Sequence, residues 1–117
     1  MKGFTIDGLG DPIRVVEGDA SGGLGYWDPG TGTIVIDKEQ PEPGKHVVLL
    51  HELMHLTETM LLQSGLIKTE VDHGWITMMA PNLLLLLVKS GMYTGVPEAE
   101  LVEWMSESLP GPGESAE

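Results

Sequence analysis

Three residues near the middle of the chain, His51, Glu52 and His55, stand at a spacing that could hold and use a metal ion. Residues i and i+4 project from one face of a helix about 6 Å apart, so two imidazoles can reach one cation. Glu52 lies one step round that helix. In a His-Glu-x-x-His pattern, a glutamate there addresses a water on the metal rather than the metal itself. The chemistry that suits the pattern is hydrolysis. Zinc lowers the pKa of its water towards about 7, the glutamate takes the proton, and a polarised carbonyl is attacked. The chain has no cysteine, which excludes thiolate zinc sites, disulfide scaffolds and cysteine nucleophiles. Any metal must therefore sit on His, Asp or Glu.

A catalytic zinc needs a third protein ligand and one open position. Four candidates follow the motif: Glu58, Glu70, Asp72 and His73. Glu58 shares the face of the two histidines but lies seven residues past His51, about 10 Å along an unbroken helix. A metal ~2 Å from each ligand cannot span that distance, so Glu58 reads as a solvated or supporting carboxylate. Glu70 and Asp72 suit the first turn of a helix, where the backbone dipole favours anions. The same dipole mildly disfavours a cationic His73, and a neutral, metal-bound imidazole accounts better for it. The reading is His51, His55 and His73 on the metal, with Asp72 and Glu70 as alternatives for the third place.

Residues 45 to 64 must supply the motif helix. Val48, Leu49, Met54, Leu56, Met60 and Leu61 recur there at helical spacing without Gly or Pro, and Gly65 is a stop. A turn at 63 to 68 should fold a second helix back antiparallel, from Thr69 as N-cap to about Lys89, with a kink or break at Pro81. Pro97 starts a short helix with Leu101, Trp104, Met105 and Leu109 on one side. Trp75, Trp104 and the seven methionines read as interior packing. Ahead of the motif, 13 to 17, 24 to 28 and 33 to 37 read as three short antiparallel strands. Pro29-Gly30-Thr31-Gly32 is a hairpin turn between the last two, and 38 to 44 is a linker. The tail 110 to 117 reads as disordered. The expected architecture is α+β: one domain over 1–109, a three-stranded antiparallel sheet covering a helical hairpin.

Composition narrows the partners. There are 117 residues, 18 acidic against 6 basic, net charge −12, with 41% hydrophobic residues. That length suits one core, and the acidity argues against nucleic acid and anionic membranes. The apolar run 75 to 88 covers about 14 residues, short of the ~20 that cross a bilayer. No targeting segment is visible, so the default compartment is the cytoplasm.

The order of strand hairpin, Leu49-Leu50-His51-Glu52-Leu53-Met54-His55, turn and second helix resembles a minimal gluzincin. It is most similar to the small zinc-peptidase-like proteins of phages and prophages, allied to the ImmA/IrrE-type metallopeptidases. The strand Thr33-Ile34-Val35-Ile36-Asp37 fits that pattern, as does Met79-Ala80-Pro81 followed by Leu83 to Leu87. The resemblance covers about residues 24 to 90. It implies one Zn²⁺, Glu52 as general base, and a peptide or protein as substrate. The family's third ligand is a Glu seven residues before the Ala of that stretch, and here that place is held by His73. A neutral ligand in place of an anionic one raises the site's charge and should acidify its water further. Two other functions fit the residues: a zinc-stabilised domain without catalysis, and an acidic protein-binding module. For substrate, the strand ending at Asp37 could pair with a peptide if it forms the sheet edge. Tyr26, Tyr93 or Arg14 could help hold an oxyanion.

Overall fold

The computed structural model describes residues 1–8 and 10–109. Its architecture is α+β, with four strands followed by three helices: β1 (Phe4–Ile6), β2 (Ile13–Gly18), β3 (Gly25–Asp28), β4 (Thr33–Asp37), α1 (Glu42–Gln63), α2 (His73–Lys89) and α3 (Glu98–Ser108). The tail expected to be disordered, 110 to 117, lies outside the described residues.

The sheet is mixed, in the order β1-β2-β4-β3, and not the three-stranded antiparallel sheet expected. The hairpin of β3 and β4 is antiparallel as expected, with Asp28 opposite Thr33. The Asp28 carboxylate closes its turn, accepting from the Gly30 N–H and the Thr31 hydroxyl, each at 3.0 Å. The departure lies in the placing of β2, which runs parallel to β4 with Val15 opposite Ile34. Burial explains the order. Thr33, Ile34 and Ile36 are buried, so β4 needs neighbours on both edges, whereas the half-exposed Gly-Tyr-Trp-Asp of β3 tolerates the rim. The additional strand β1 is three residues long and mostly exposed, too short for a periodic signal. It pairs antiparallel with β2.

Helix α1 is the middle layer. Val48 and Leu49, with Leu53 and Leu56, pack on Ile13, Val15, Ile34 and Ile36 of one sheet face. From its other side Val47, Leu50 and Met54 meet Ala80, Leu84, Leu101 and Trp104 of α2 and α3. The helix begins at Glu42, earlier than the linker reading allowed. Pro43 fits within the first turn, where its missing N–H would have no helical partner anyway. At the other end the stop is as expected: Gly65 adopts φ 77°, its N–H donates to Leu62 O and that of Leu66 to Leu61 O. This is the paired carbonyl capping of a helix closed by a left-handed glycine.

Helix α2 starts later than expected. Its N-cap is Asp72, whose carboxylate accepts from the Gly74 N–H, and Thr69 lies in the preceding loop. No break occurs at Pro81, and α2 is continuous across it. An interior proline costs a helix about 3 kcal/mol, which full burial of Ala80, Pro81 and Leu84 offsets. Trp75 does not pack the interior: it is 54% exposed, and Met60, Met78 and Met92 are exposed as well. Trp104 does join the helical core.

Two glycines bring flanking elements onto α1. A Cβ on Gly25 would lie 2.6 Å from Val48 Cγ1 and 3.0 Å from the Val35 carbonyl, so β3 crosses α1 closer than any side chain permits. A Cβ on Gly44 would lie 3.0 Å from Trp104 Nε1, the corresponding approach of α3. Gly25→Ala is therefore expected to destabilise the fold by about 1–3 kcal/mol through overpacking, measurable by urea denaturation. An unchanged midpoint would contradict this packing.

Candidate metal centre

The motif residues lie on the third and fourth turns of α1, past its glycine-bearing start and well inside an uninterrupted helix. His73 is the first residue of α2. The turn between the helices brings it against the motif: one ligand nitrogen from each of His51, His55 and His73 lies within 4.8 Å of the others. The Nε2 atoms of His51 and His55 are 3.0 Å apart. Ring centroids are separated by 4.7 Å for His51–His55, 5.1 Å for His51–His73 and 5.0 Å for His55–His73. Tetrahedral zinc with Zn–N bonds of about 2.0–2.1 Å requires ligand nitrogens about 3.3 Å apart. His51 and His55 already meet that separation closely. His73 is exposed, so its ring is free to turn inward without displacing the core.

Glu58 stands beside this group, at the loop between the two helices. Oε1 lies 3.4 Å from His55 Nδ1, and Oε2 accepts the backbone N–H of Val71. One carboxylate therefore faces the outer nitrogen of a motif histidine and ties down the loop two residues before His73. With the acceptor on the Nδ1 side, the tautomer of His55 that donates there leaves its Nε2 lone pair directed at His51. The alternatives for the third place are not part of this group. Asp72 is engaged in capping α2, and Glu70 is exposed in the loop.

Burial favours a neutral His51. Burial, followed by the neighbouring His55 and His73 rings, pushes His51 down from its ordinary 6.5 to about 4. The ring is therefore neutral at pH 7, with one nitrogen lone pair open, the form a metal requires. Burial also raises the Glu52 carboxyl above its ordinary value, while His55 and His73 oppose that rise. A raised carboxyl pKa suits a proton acceptor that must later release what it took.

Glu52, His51 and His73 open onto one cleft of about 590 Å³. Leu24 and Gly25 at β3, Val47 and Val48 of α1, and Trp104 and Leu109 at α3 line it. The sequence reading missed α3 as a wall of this cleft. The Gly44–Trp104 approach that creates it joins residues sixty apart and leaves no local signature. The expected edge strand is also corrected. β4 lies between β2 and β3, so the rim strand beside the motif helix is β3. Of the oxyanion candidates, Tyr93 bonds through its hydroxyl to His46 Nδ1, and none of Tyr26, Tyr93 and Arg14 lines the cleft.

No protein-family model, curated protein or solved structure matches this chain. Among the described residues no helix is long and apolar enough to cross a membrane.

The depressed His51 carries a sign. Between pH 6.5 and about 4 the unfolded chain holds a proton on this residue that the folded chain rejects. Its contribution to stability is complete above pH 6.5 and is lost as pH falls towards 4. The thermal midpoint of metal-free protein should fall across that window, and fall less steeply in His51→Asn. Parallel curves for the two proteins would refute the assignment.

Proposed function

We propose that the chain is a small zinc-dependent peptidase, with His51, His55 and His73 as metal ligands and Glu52 as general base. One observation carries the reading: three imidazole nitrogens from two helices converge near a half-buried glutamate, and that glutamate lines one cleft with His51 and His73. The donor set is all nitrogen, without thiolate, which suits zinc. Three histidines also leave a tetrahedral ion one position for water or substrate. When bound, the ion supplies Lewis-acid polarisation of a carbonyl and acidifies a water.

The remaining work falls to the chain. Glu52 takes a proton from the attacking water and passes it to the departing amide nitrogen, a transfer its raised pKa assists. Glu58 orients His55 and holds the loop that carries His73. The rim strand β3 offers backbone groups to an extended peptide where Leu24 and Gly25 border the cleft. Trp104 and Leu109 provide an apolar wall for a substrate side chain.

Purified protein is expected to hold one zinc per chain, read by elemental analysis, and His51→Ala or His55→Ala to lose it. Glu52→Gln should retain the metal and lose cleavage of a peptide library by about 10²–10⁴-fold. Full activity in Glu52→Gln would overturn the mechanism. A chain that binds zinc, melts lower with chelator and cleaves no peptide would instead be a zinc-stabilised domain. Glu58→Ala should weaken zinc binding by about 10–100-fold, the usual effect of removing a carboxylate behind a ligand histidine. Competition against a chromogenic chelator measures it, and unchanged affinity would remove Glu58 from the site.

A further inference from the structure

Gln40, in the connection between β4 and α1, takes no part in the metal centre but holds the rim of its cleft. The side-chain amide donates to the Leu24 carbonyl at 2.8 Å and to the Asp37 carbonyl at 3.1 Å, and Gln40 itself lines the cleft. One side chain thus joins the start of β3 to the end of β4. Its oxygen lies towards α1 and α3: a Cβ on Gly44 would meet Gln40 Oε1 at 3.2 Å and Trp104 Nε1 at 3.0 Å.

The Leu24 carbonyl also decides which backbone groups of β3 remain open. It accepts the Asp37 N–H at 2.9 Å, so Leu24 and Asp37 are a bonded pair in line with the β3–β4 ladder. Bonded and non-bonded pairs alternate along an antiparallel ladder. Gly25 opposite Ile36 and Trp27 opposite Ile34 are therefore non-bonded pairs, and the N–H and C=O of Gly25 and Trp27 point away from β4. They point to the rim, and among the described residues they have no other backbone partner. Gly25 borders the cleft, and its Cβ direction faces Val48 of α1. Side chains directly opposite in a ladder share a face. A strand paired with Gly25 accordingly turns its opposing side chain towards α1, where the cleft lies. Leu24, Val47, Trp104 and Leu109 are apolar groups there, and Leu24 is 60% exposed.

We infer that Gln40 is the positioning residue of this cleft, holding Gly25 at the register that pairs with an extended peptide whose large apolar side chain enters between Leu24 and Trp104. The inference rests on the peptidase reading for its reaction and adds the register and the side-chain class. Backbone pairing at a sheet rim supplies affinity, and a pocket beside it supplies selectivity. Without the Gln40 donor, the Leu24 carbonyl keeps one hydrogen bond at the very end of the strand, and Gly25 is no longer held against the cleft.

Zinc-loaded Glu52→Gln protein allows binding to be read apart from cleavage, by fluorescence anisotropy of labelled decapeptides of Ser and Thr with Phe, Leu or Ala at one central position. The Phe and Leu peptides should bind about tenfold tighter than the Ala peptide, because more carbon is buried. Equal affinity for all three, or binding of none, would overturn the apolar subsite. N-methylation of the central residue, which removes its donor to the Gly25 carbonyl, should weaken binding by about tenfold, and methylation of either neighbour should not. The reverse pattern would overturn the register. Gln40→Glu, made in the same protein, keeps the shape of the side chain and removes its donor. It should weaken the Phe peptide by about tenfold with unchanged zinc affinity and circular dichroism. A lower thermal midpoint with unchanged peptide affinity would make Gln40 merely structural and overturn its positioning role. If the unaltered chain cuts no peptide while the Glu52→Gln protein binds them in this order, the peptidase reading fails and the register stands. Cleavage of a peptide library without preference for apolar residues would leave the peptidase reading and overturn the side-chain class.

Discussion

Everything in this fold depends on α1 being buried on two sides. A helix that faces a sheet and a helical pair at once cannot follow a simple amphipathic stripe, and its apolar residues are distributed around most of its circumference. What remains is a narrow seam between the two cores. His51 and Glu52 emerge along it and line a partly enclosed cleft. Burial that secures the fold is therefore the same burial that keeps His51 neutral and raises Glu52.

Glu58 links that seam to the rest of the chain. Its two oxygens serve two purposes, facing the outer nitrogen of His55 and accepting the Val71 N–H. The loop between α1 and α2 would otherwise be constrained by little beyond the Gly65 cap and Asp72. A bridging carboxylate thus couples the orientation of one histidine to the approach of another.

The distribution of charge gives α2 two distinct faces. Its start contributes His73 to the cleft, its inner side packs Ile76, Ala80 and Leu84, and its outer stripe is both apolar and uncharged in a strongly acidic protein. Pro81 is tolerated because it lies on the packed side, where burial compensates for the missing hydrogen bond.

Local patterns in the chain determined much of this. The α1 helix, the i and i+4 histidines, the hairpin turn closed by Asp28 and the stop at Gly65 are each encoded within a few residues, where spacing alone dictates geometry. The nearness of His73 to the motif pair was an expectation of a different kind, since an imidazole at a helix start lacks the electrostatic justification that Asp72 and Glu70 have. The tertiary structure decided the rest. The placing of β2 beside β4, the rim position of β3, the outward turn of Trp75 and the closure of the cleft by Trp104 all depend on which buried surfaces compete for the same neighbours. Such competition joins residues tens of positions apart, and no local periodicity records its outcome.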